Sequence, residues 1–320
     1  MESNKKELKL INMADVQSKE VEWLWYPYIP YGKITIVQGD PGEGKTTFIL
    51  QLAAHLSKGE RLPFEETERE AIQIIYQTAE DGLEDTIKPR LEKAGADCSK
   101  ILVIDETESE LSMSDERLEQ AIQETGAKLI ILDPIQAYLG AEIDMHRANE
   151  IRPVLKRLGM MAEKYCCAIV VIGHMNKSSG SKSTYRGLGS IDFQATARSV
   201  LVVGRIKDKK TVRVIAHDKS SLAPEGESLA FELNEKEGVI WLGHYDISVE
   251  ELLSGVNKES KLKRAEILLE DMLSDGEKPQ GEILDRAKSL DISKRVLDQA
   301  KKNLGVKSEK RSDKWYWRMR

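Results

Sequence analysis

The chain has 320 residues, of which 40% are hydrophobic and 32% charged, with a formal net charge of -6. That length and balance suit one large α/β domain with a small appendage and exclude a disordered or fibrous chain. The longest apolar runs, such as CCAIVVIG at 166–173, fall far short of the ~20 residues of a membrane-spanning helix, and the charged start MESNKKELKL lacks an apolar leader, which points to the cytoplasm.

In chain order, β-branched runs alternate with helical patterns. The strand-like runs are Lys33–Gln38, Ile72–Thr78, Ile101–Asp105, Lys128–Asp133 and Ala168–His174. Apolar residues at helical spacing fill Thr46–Ser57, Leu83–Ala94, Asp115–Glu124 and Asn149–Tyr165. Continuously apolar strands separated by helices predict a parallel sheet covered on both faces, a doubly wound α/β fold. After His174 the segments SVLVVGR, TVRVIAHDK, SLAFEL and GVIWLG alternate and are joined by charged or Gly/Pro turns, which predicts antiparallel strands extending that sheet. The three cysteines show neither disulfide nor zinc spacing, and the adjacent pair Cys166 and Cys167 reads as small core residues.

Between the first strand and helix stands GDPGEGKTT, residues Gly39, Asp40, Pro41, Gly42, Glu43, Gly44, Lys45, Thr46 and Thr47. It satisfies G-x-x-x-x-G-K-[ST] with a strand before and a helix after. Glycines let successive backbone N–H groups converge on phosphate oxygens, and the helix N-terminus adds its positive end. The loop therefore predicts a nucleoside triphosphate site, with Lys45 on the β- and γ-phosphates and Thr46 on Mg²⁺. A magnesium site also needs a strand-end carboxylate: Asp133 ends KLIILD, and Asp105, ending ILVID, competes. Pro134 follows Asp133, where ATPases of the AAA+ type carry a glutamate, so the group that activates water comes from elsewhere. IIYQTAED supplies Glu80 and Asp81 at a strand end one βα unit after the loop; either is a candidate base or the cap of the next helix, with Asp81 the better cap. His174 ends an apolar strand at the same sheet edge, placed either to meet a phosphate or its water or to rest as a satisfied core ring.

The ordered set WLWYPYIPYGKITIVQGDPGEGKTT, YQTAEDGLEDTIKPRL, LIILDPIQAYLG, VVIGHMNKSSG and RGLGSIDFQATARSVLVV resembles the RecA-fold ATPases of the RepA type, hexameric helicases of plasmids and phages, and related prophage AAA-family ATPases. The resemblance covers Trp23 to Leu242. It implies Glu80 as catalytic glutamate, Asp133 as the Mg²⁺ carboxylate, His174 as the sensor of the γ-phosphate and Arg90 packed on the adenine. It also implies a site completed by a neighbouring subunit, for which Arg198 and Lys219 are the candidate trans cations; each is alternatively an ordinary ion-pair partner. The basic stretch 176–190, with Lys177, Lys182 and Arg186, either lines a channel for a DNA backbone or is a solvated loop.

The last part of the chain differs in charge. Residues 293–320 hold ten Lys/Arg and three Asp/Glu, which leaves -13 on the remainder. The boundaries expected are an ATPase domain over 1–250, including an N-terminal extension over 1–22, a polar linker over 251–260 and a small domain over 261–320. Helical patterns at Lys261–Leu273, Gln280–Leu290 and Ser293–Leu304, followed by KSEKRSDKWYWRMR, predict a winged helix. Asp291 or Ser293 would cap its recognition helix, and Lys294, Arg295, Lys301, Lys302, Arg311 and Lys314 are the candidate DNA contacts, although such a surface also binds protein. The combined expectation is a cytoplasmic, oligomeric, Mg²⁺-dependent ATPase moving along single-stranded or duplex DNA in replication or recombination of a mobile element. The alternative is a regulatory DNA-binding ATPase that does not translocate.

Overall fold

The structure is a computed structural model and describes residues 10–66, 68–140, 143–145, 147–175, 191–207, 209–235, 237–254, 261–290, 292–311 and 314–319. Among these, nine strands form one sheet in the order β11-β10-β9-β8-β3-β7-β6-β4-β5. The strands are β3 (Ile34–Gly39), β4 (Ile74–Thr78), β5 (Ile101–Leu102), β6 (Leu129–Asp133), β7 (Ala168–His174), β8 (Ser199–Ile206), β9 (Lys209–Ser220), β10 (Leu229–Asn234) and β11 (Gly238–His244). Ahead of them, β1 (Trp23–Trp25) and β2 (Ile29–Pro30) make a small antiparallel pair. From β8 to β5 every pairing is parallel, and β8 to β11 run as an antiparallel meander. The mixed, mainly parallel α/β sheet with an antiparallel extension is the one expected.

The chemistry of the strands explains their burial. All six residues of β3 and all five of β6 are buried, as befits strands covered on both faces. One face packs on α1 (Lys45–Lys58), α2 (Lys88–Lys93) and the aromatic residues Trp25, Tyr28, Phe48 and Phe231. The other packs on α3 (Glu116–Thr125), α4 (Ala148–Tyr165) and α5 (Ile191–Thr196) through Leu118, Ile122, Leu155, Leu158 and Phe193. A short α6 (Val249–Ser254) closes over β8 with Leu252.

Two expectations are corrected here. β5 pairs only over Ile101–Leu102 rather than to Asp105, because from Ile104 the backbone bonds to the Gln77 side chain (N to Oε1 2.6 Å) instead of to a strand. Cys167 is buried, but Cys166 is exposed: it ends α4 in the left-handed region (φ 47°), where the chain turns and the side chain points out.

Residues from 261 onward form a separate small core. Helices α7 (Lys261–Leu273), α8 (Gln280–Ser289) and α9 (Lys294–Asn303) pack with a three-stranded sheet of order β12-β14-β13, made of β12 (Lys278–Pro279), β13 (Lys307–Arg311) and β14 (Lys314–Arg318). Leu269, Ile283, Leu297, Ala300 and Trp317 are its buried residues. Ser293 caps α9 by accepting from Val296 N–H (3.4 Å), and Asp291 lies outside the described residues. Among the described residues no helix is long and apolar enough to cross a membrane.

Candidate functional site

The loop from Gly39 to Gly44 joins β3 to α1 at the C-terminal edge of the parallel strands. The turn is possible only with glycine at two points. A Cβ on Gly39 would sit 2.2 Å from the Val203 carbonyl oxygen, and Gly44 caps α1 with φ at +90°, which L side chains rarely adopt. The loop thus leaves backbone N–H groups, rather than side chains, at the helix start.

Lys45 and Thr46 are adjacent on α1 but reach different strands. The Lys45 ammonium donates to the Gly39 and Asp40 carbonyl oxygens (both 2.9 Å) and lies 3.3 Å from His174 Nδ1 at the end of β7. Because an ammonium only donates, Nδ1 accepts in this contact, which leaves Nε2 as the ring's donor. That nitrogen faces Glu80 Oε2 at 3.8 Å. Thr46 Oγ1 donates to Asp133 Oδ2 on β6 (2.7 Å), and the Tyr76 hydroxyl on β4 donates to the same oxygen (3.0 Å). Burial pushes the Asp133 carboxyl up, opposed by its bonds from Thr46 and Tyr76, while burial pulls Lys45 down, opposed by Asp133, Asp40, Glu43 and Glu80. One buried carboxylate, Asp133, and one buried ammonium, Lys45, thus lie at the same sheet edge, and Glu80 beside them is exposed.

The neighbouring residues sort differently. Asp105 lies beyond β5 and accepts from Thr107 N–H and hydroxyl; it does not join the group around Thr46. Asp81 is not the cap of the following helical turn: Gly82 holds that position, and the Asp81 carboxylate pairs with Arg90 Nη1 (3.0 Å). The turn itself, Leu83–Ile87, is wound as a π-helix before α2 begins at Lys88. Arg90 and Lys93 on α2 face Thr47 and Gln51 on α1 and the paired strand residues Leu233 of β10 and Val239 of β11 across a cleft of ≈ 280 Å³. This cleft opens beside Thr47 in the first turn of α1.

Arg198 and Lys219 are far from the loop of their own chain. Parallel register pairs Thr35 with Ser199 and Ile36 with Val200, and Lys219 opposes Val200, so along the strand direction Arg198 lies level with Ile34, five residue steps or roughly 16 Å from Gly39, and Lys219 lies level with Ile36, three steps or roughly 10 Å away and two strands to the side. Arg198 is exposed. Lys219 is not presented outward: its ammonium donates to the carbonyls of Gln194 (2.6 Å), Ala195 (3.2 Å) and Ala197 (2.8 Å) at the end of α5. Lys177, Lys182 and Arg186 lie outside the described residues.

In the C-terminal unit Lys294, Lys302 and Lys314 are exposed. The other three candidates are engaged within the chain. Arg295 pairs with Glu227 of the large unit, Lys301 lies over the Trp317 ring (4.2 Å to its centre), and Arg311 pairs with Glu277 (2.6 Å).

Sequence reasoning missed Tyr76, Arg213 and the cleft residues Leu233 and Val239. The Tyr76 hydroxyl in IIYQT, a strand of the parallel sheet, is a usable signal, since a buried phenol needs a partner. Arg213 and the cleft residues carry no such local mark, because the β9–β11 meander alone brings them to the loop.

Residues 3–180 match a family model described as "AAA domain", more than half of the chain. Over 165 residues the chain is 28% identical to the DNA repair protein RadA of Halalkalibacterium halodurans, covering 51% of this chain and 32% of that one. It is 24% identical over 231 residues to the DNA repair protein RadA of Streptococcus pneumoniae, covering 72% of this chain and 49% of the relative. The chain thus spans between 32% and 49% of these two curated relatives. A KaiC-like protein of Pyrococcus horikoshii is similar in structure, with a TM-score of 0.48 and 17% identity over 71% of this chain and 98% of that one. With its phosphate loop at the edge of a mainly parallel sheet, this is a P-loop protein, and the chain belongs to the AAA domain family (AAA_25).

Proposed function

We propose that this protein is an oligomeric, Mg²⁺-dependent ATPase of the RepA-like helicase type that acts on DNA, with residues 1–250 as the ATPase domain, 251–260 as linker and 261–320 as a winged helix. One observation carries the reading: adjacent residues Lys45 and Thr46 are matched to His174–Glu80 on one side and to Asp133 on the other. Structural ion pairs rarely need a glycine cradle, a buried ammonium and a separate buried carboxylate at one sheet edge.

The residues fit a magnesium nucleotide. A loop that only glycine can form leaves main-chain donors for phosphate, and the oxygens of Thr46 and Asp133, 2.7 Å apart, are the hard ligands magnesium takes. When bound, the ion would neutralise charge shared by the β- and γ-phosphates. Lys45 binds the same phosphates. Glu80, with His174 orienting its carboxylate, polarises the attacking water and accepts its proton. Tyr76 keeps Asp133 aimed at Thr46. Arg90 and the cleft beside Thr47 take the base.

Arg198, remote from its own loop, acts on the nucleotide of an adjoining copy in a ring, where its charge stabilises the transferring phosphoryl group. Lys219 holds the end of α5, the segment just before Arg198, through its bonds to the Gln194, Ala195 and Ala197 carbonyls. DNA enters the proposal from the relatives, which are named as DNA repair proteins, and from the exposed lysines Lys294, Lys302 and Lys314.

The test is ATP turnover by the full chain with and without single-stranded DNA, alongside a strand-displacement assay. Strong stimulation with displacement supports the motor. Tight binding to one duplex sequence, with neither stimulation nor displacement, replaces it with a DNA-anchored ATPase that does not move.

A further inference from the structure

A loop built to grip phosphate carries two carboxylates of its own, Asp40 and Glu43. The Glu43 side chain is only 13% exposed and immediately precedes the helix cap Gly44. An uncompensated carboxylate there would repel a polyphosphate through a medium that screens poorly.

Two arginines meet it. Arg205 at the end of β8 places Nη2 3.3 Å from Glu43 Oε1. Arg213 on β9 is the direct cross-strand partner of Arg205, a register in which like charges repel unless an anion lies beside them. Arg213 is 6% exposed. Its side chain lies against the loop: a Cβ built on Gly44 would meet Arg213 Cγ at 3.6 Å and Nε at 3.7 Å. Nη1 donates to the carbonyls of Lys210 (2.6 Å) and Val212 (3.3 Å). Arg213 Nε and Glu43 Oε2 are both buried, and neither has a hydrogen-bond partner among the described residues. Burial works against the Arg213 charge, and Glu43 is the group that opposes this. A buried guanidinium is tolerated beside an opposite charge and little else.

We propose that Arg213 is a positioning residue for nucleotide binding: together with Arg205 it neutralises Glu43 and holds the Glu43–Gly44 turn in the form that grips phosphate. The inference rests on the loop being a nucleotide site. Arg213 acts through the loop and not on the phosphates, so its importance depends on the carboxylate it offsets.

The experiment is titration of the full chain with a fluorescent ADP. Wild type binds; Arg213→Met weakens binding about tenfold or more, the scale of one missing buried charge partner. Adding Glu43→Gln to Arg213→Met recovers at least half of that loss on a logarithmic scale, because the charge needing compensation is gone. Arg205→Gln, a half-exposed site, weakens binding a few-fold by the same argument, and Glu43→Gln again relieves it. Unchanged affinity in Arg213→Met overturns the proposal, and so does a loss that Glu43→Gln fails to relieve, since an arginine that merely packs would show no such rescue. Should Arg213→Met not fold by circular dichroism, the Arg205→Gln pair decides alone: weakening with rescue supports the proposal, and unchanged affinity overturns it. A wild-type chain that binds no ADP would overturn the nucleotide reading and this inference together.

Discussion

Thr46 and Asp133, 87 residues apart in sequence, share a 2.7 Å hydrogen bond that joins the start of α1 to the end of β6. The bond matters because both groups present oxygens, the hard ligands that the proposed Mg²⁺ would take. Thr46→Ser keeps that oxygen and should retain turnover within a few-fold, whereas Thr46→Val and Asp133→Asn should each lose on the order of 100-fold in kcat, as for removal of one charge-stabilising group. Steady-state phosphate release against Mg²⁺ concentration checks this; a Thr46→Val enzyme with normal magnesium dependence contradicts the assignment.

Glu80 is exposed while Asp133 is buried, so the two carboxylates should separate cleanly on mutation. Glu80→Gln should slow hydrolysis by about 10²–10⁴-fold and leave ATP affinity within a few-fold, because in the proposed mechanism the group acts on water and not on phosphate. Lys45→Ala should instead abolish nucleotide binding or turnover. Single-turnover kinetics with a binding titration distinguishes the two, and wild-type speed from Glu80→Gln would move the base elsewhere.

Arg198 is five residue steps from its own loop, which makes its role a question about copies. Arg198→Ala and Lys45→Ala chains, each inactive alone, should regain part of the activity when mixed, since a junction between them can combine an intact loop with an intact arginine. Mixing without any recovery counts against action across an interface.

His217 supplies the pH dependence. The ring is 5% exposed, accepts from Gly226 N–H at Nδ1 (2.9 Å) and meets Ser199 Oγ at Nε2 (3.0 Å), and burial lowers its pKa from 6.5 to about 4. Between those values the unfolded chain takes up a proton that the folded ring refuses. Stability from this residue is therefore complete above pH 6.5 and is lost as pH falls toward 4, by at most about 3 kcal/mol. Urea midpoints measured from about pH 7.5 to 4.5 should decline more steeply in wild type than in His217→Gln; equal slopes would remove His217 as the cause.

Lys294, Lys302 and Lys314 are the exposed lysines among the six C-terminal candidates. Replacing all three by alanine should weaken DNA binding for every sequence alike and reduce the slope of log affinity on log salt by about one for each phosphate that is no longer neutralised. Fluorescence anisotropy across a salt series is the measurement. An unaltered slope would direct the basic surface toward a protein partner.

The loop, the parallel strands and the helices were legible because each depends on local chemistry. GDPGEGKTT requires glycines where the backbone turns, and KLIILD or AIVVIGH can only be strands covered on both faces. The cap of α9 was narrowed to Asp291 or Ser293, and Ser293 accepts from Val296 N–H there. Asp81 misled for the same local reason: an acidic residue before a helix reads as a cap, and only the folded chain brings Arg90 back to claim it. Ile101–Asp105 read as a full strand because nothing in its own residues shows that Gln77 takes the backbone at Ile104.

What the sequence by itself determined is the phosphate-gripping turn and the alternation of strand and helix, since both follow from dihedral preference and from the period of apolar side chains. Only the tertiary structure decided which charges meet: Tyr76 on Asp133, His174 between Lys45 and Glu80, Arg213 beneath Gly44. Those pairs are set by strand order and register, and a Coulomb or hydrogen-bond interaction depends on distance through space, which a linear spacing does not contain.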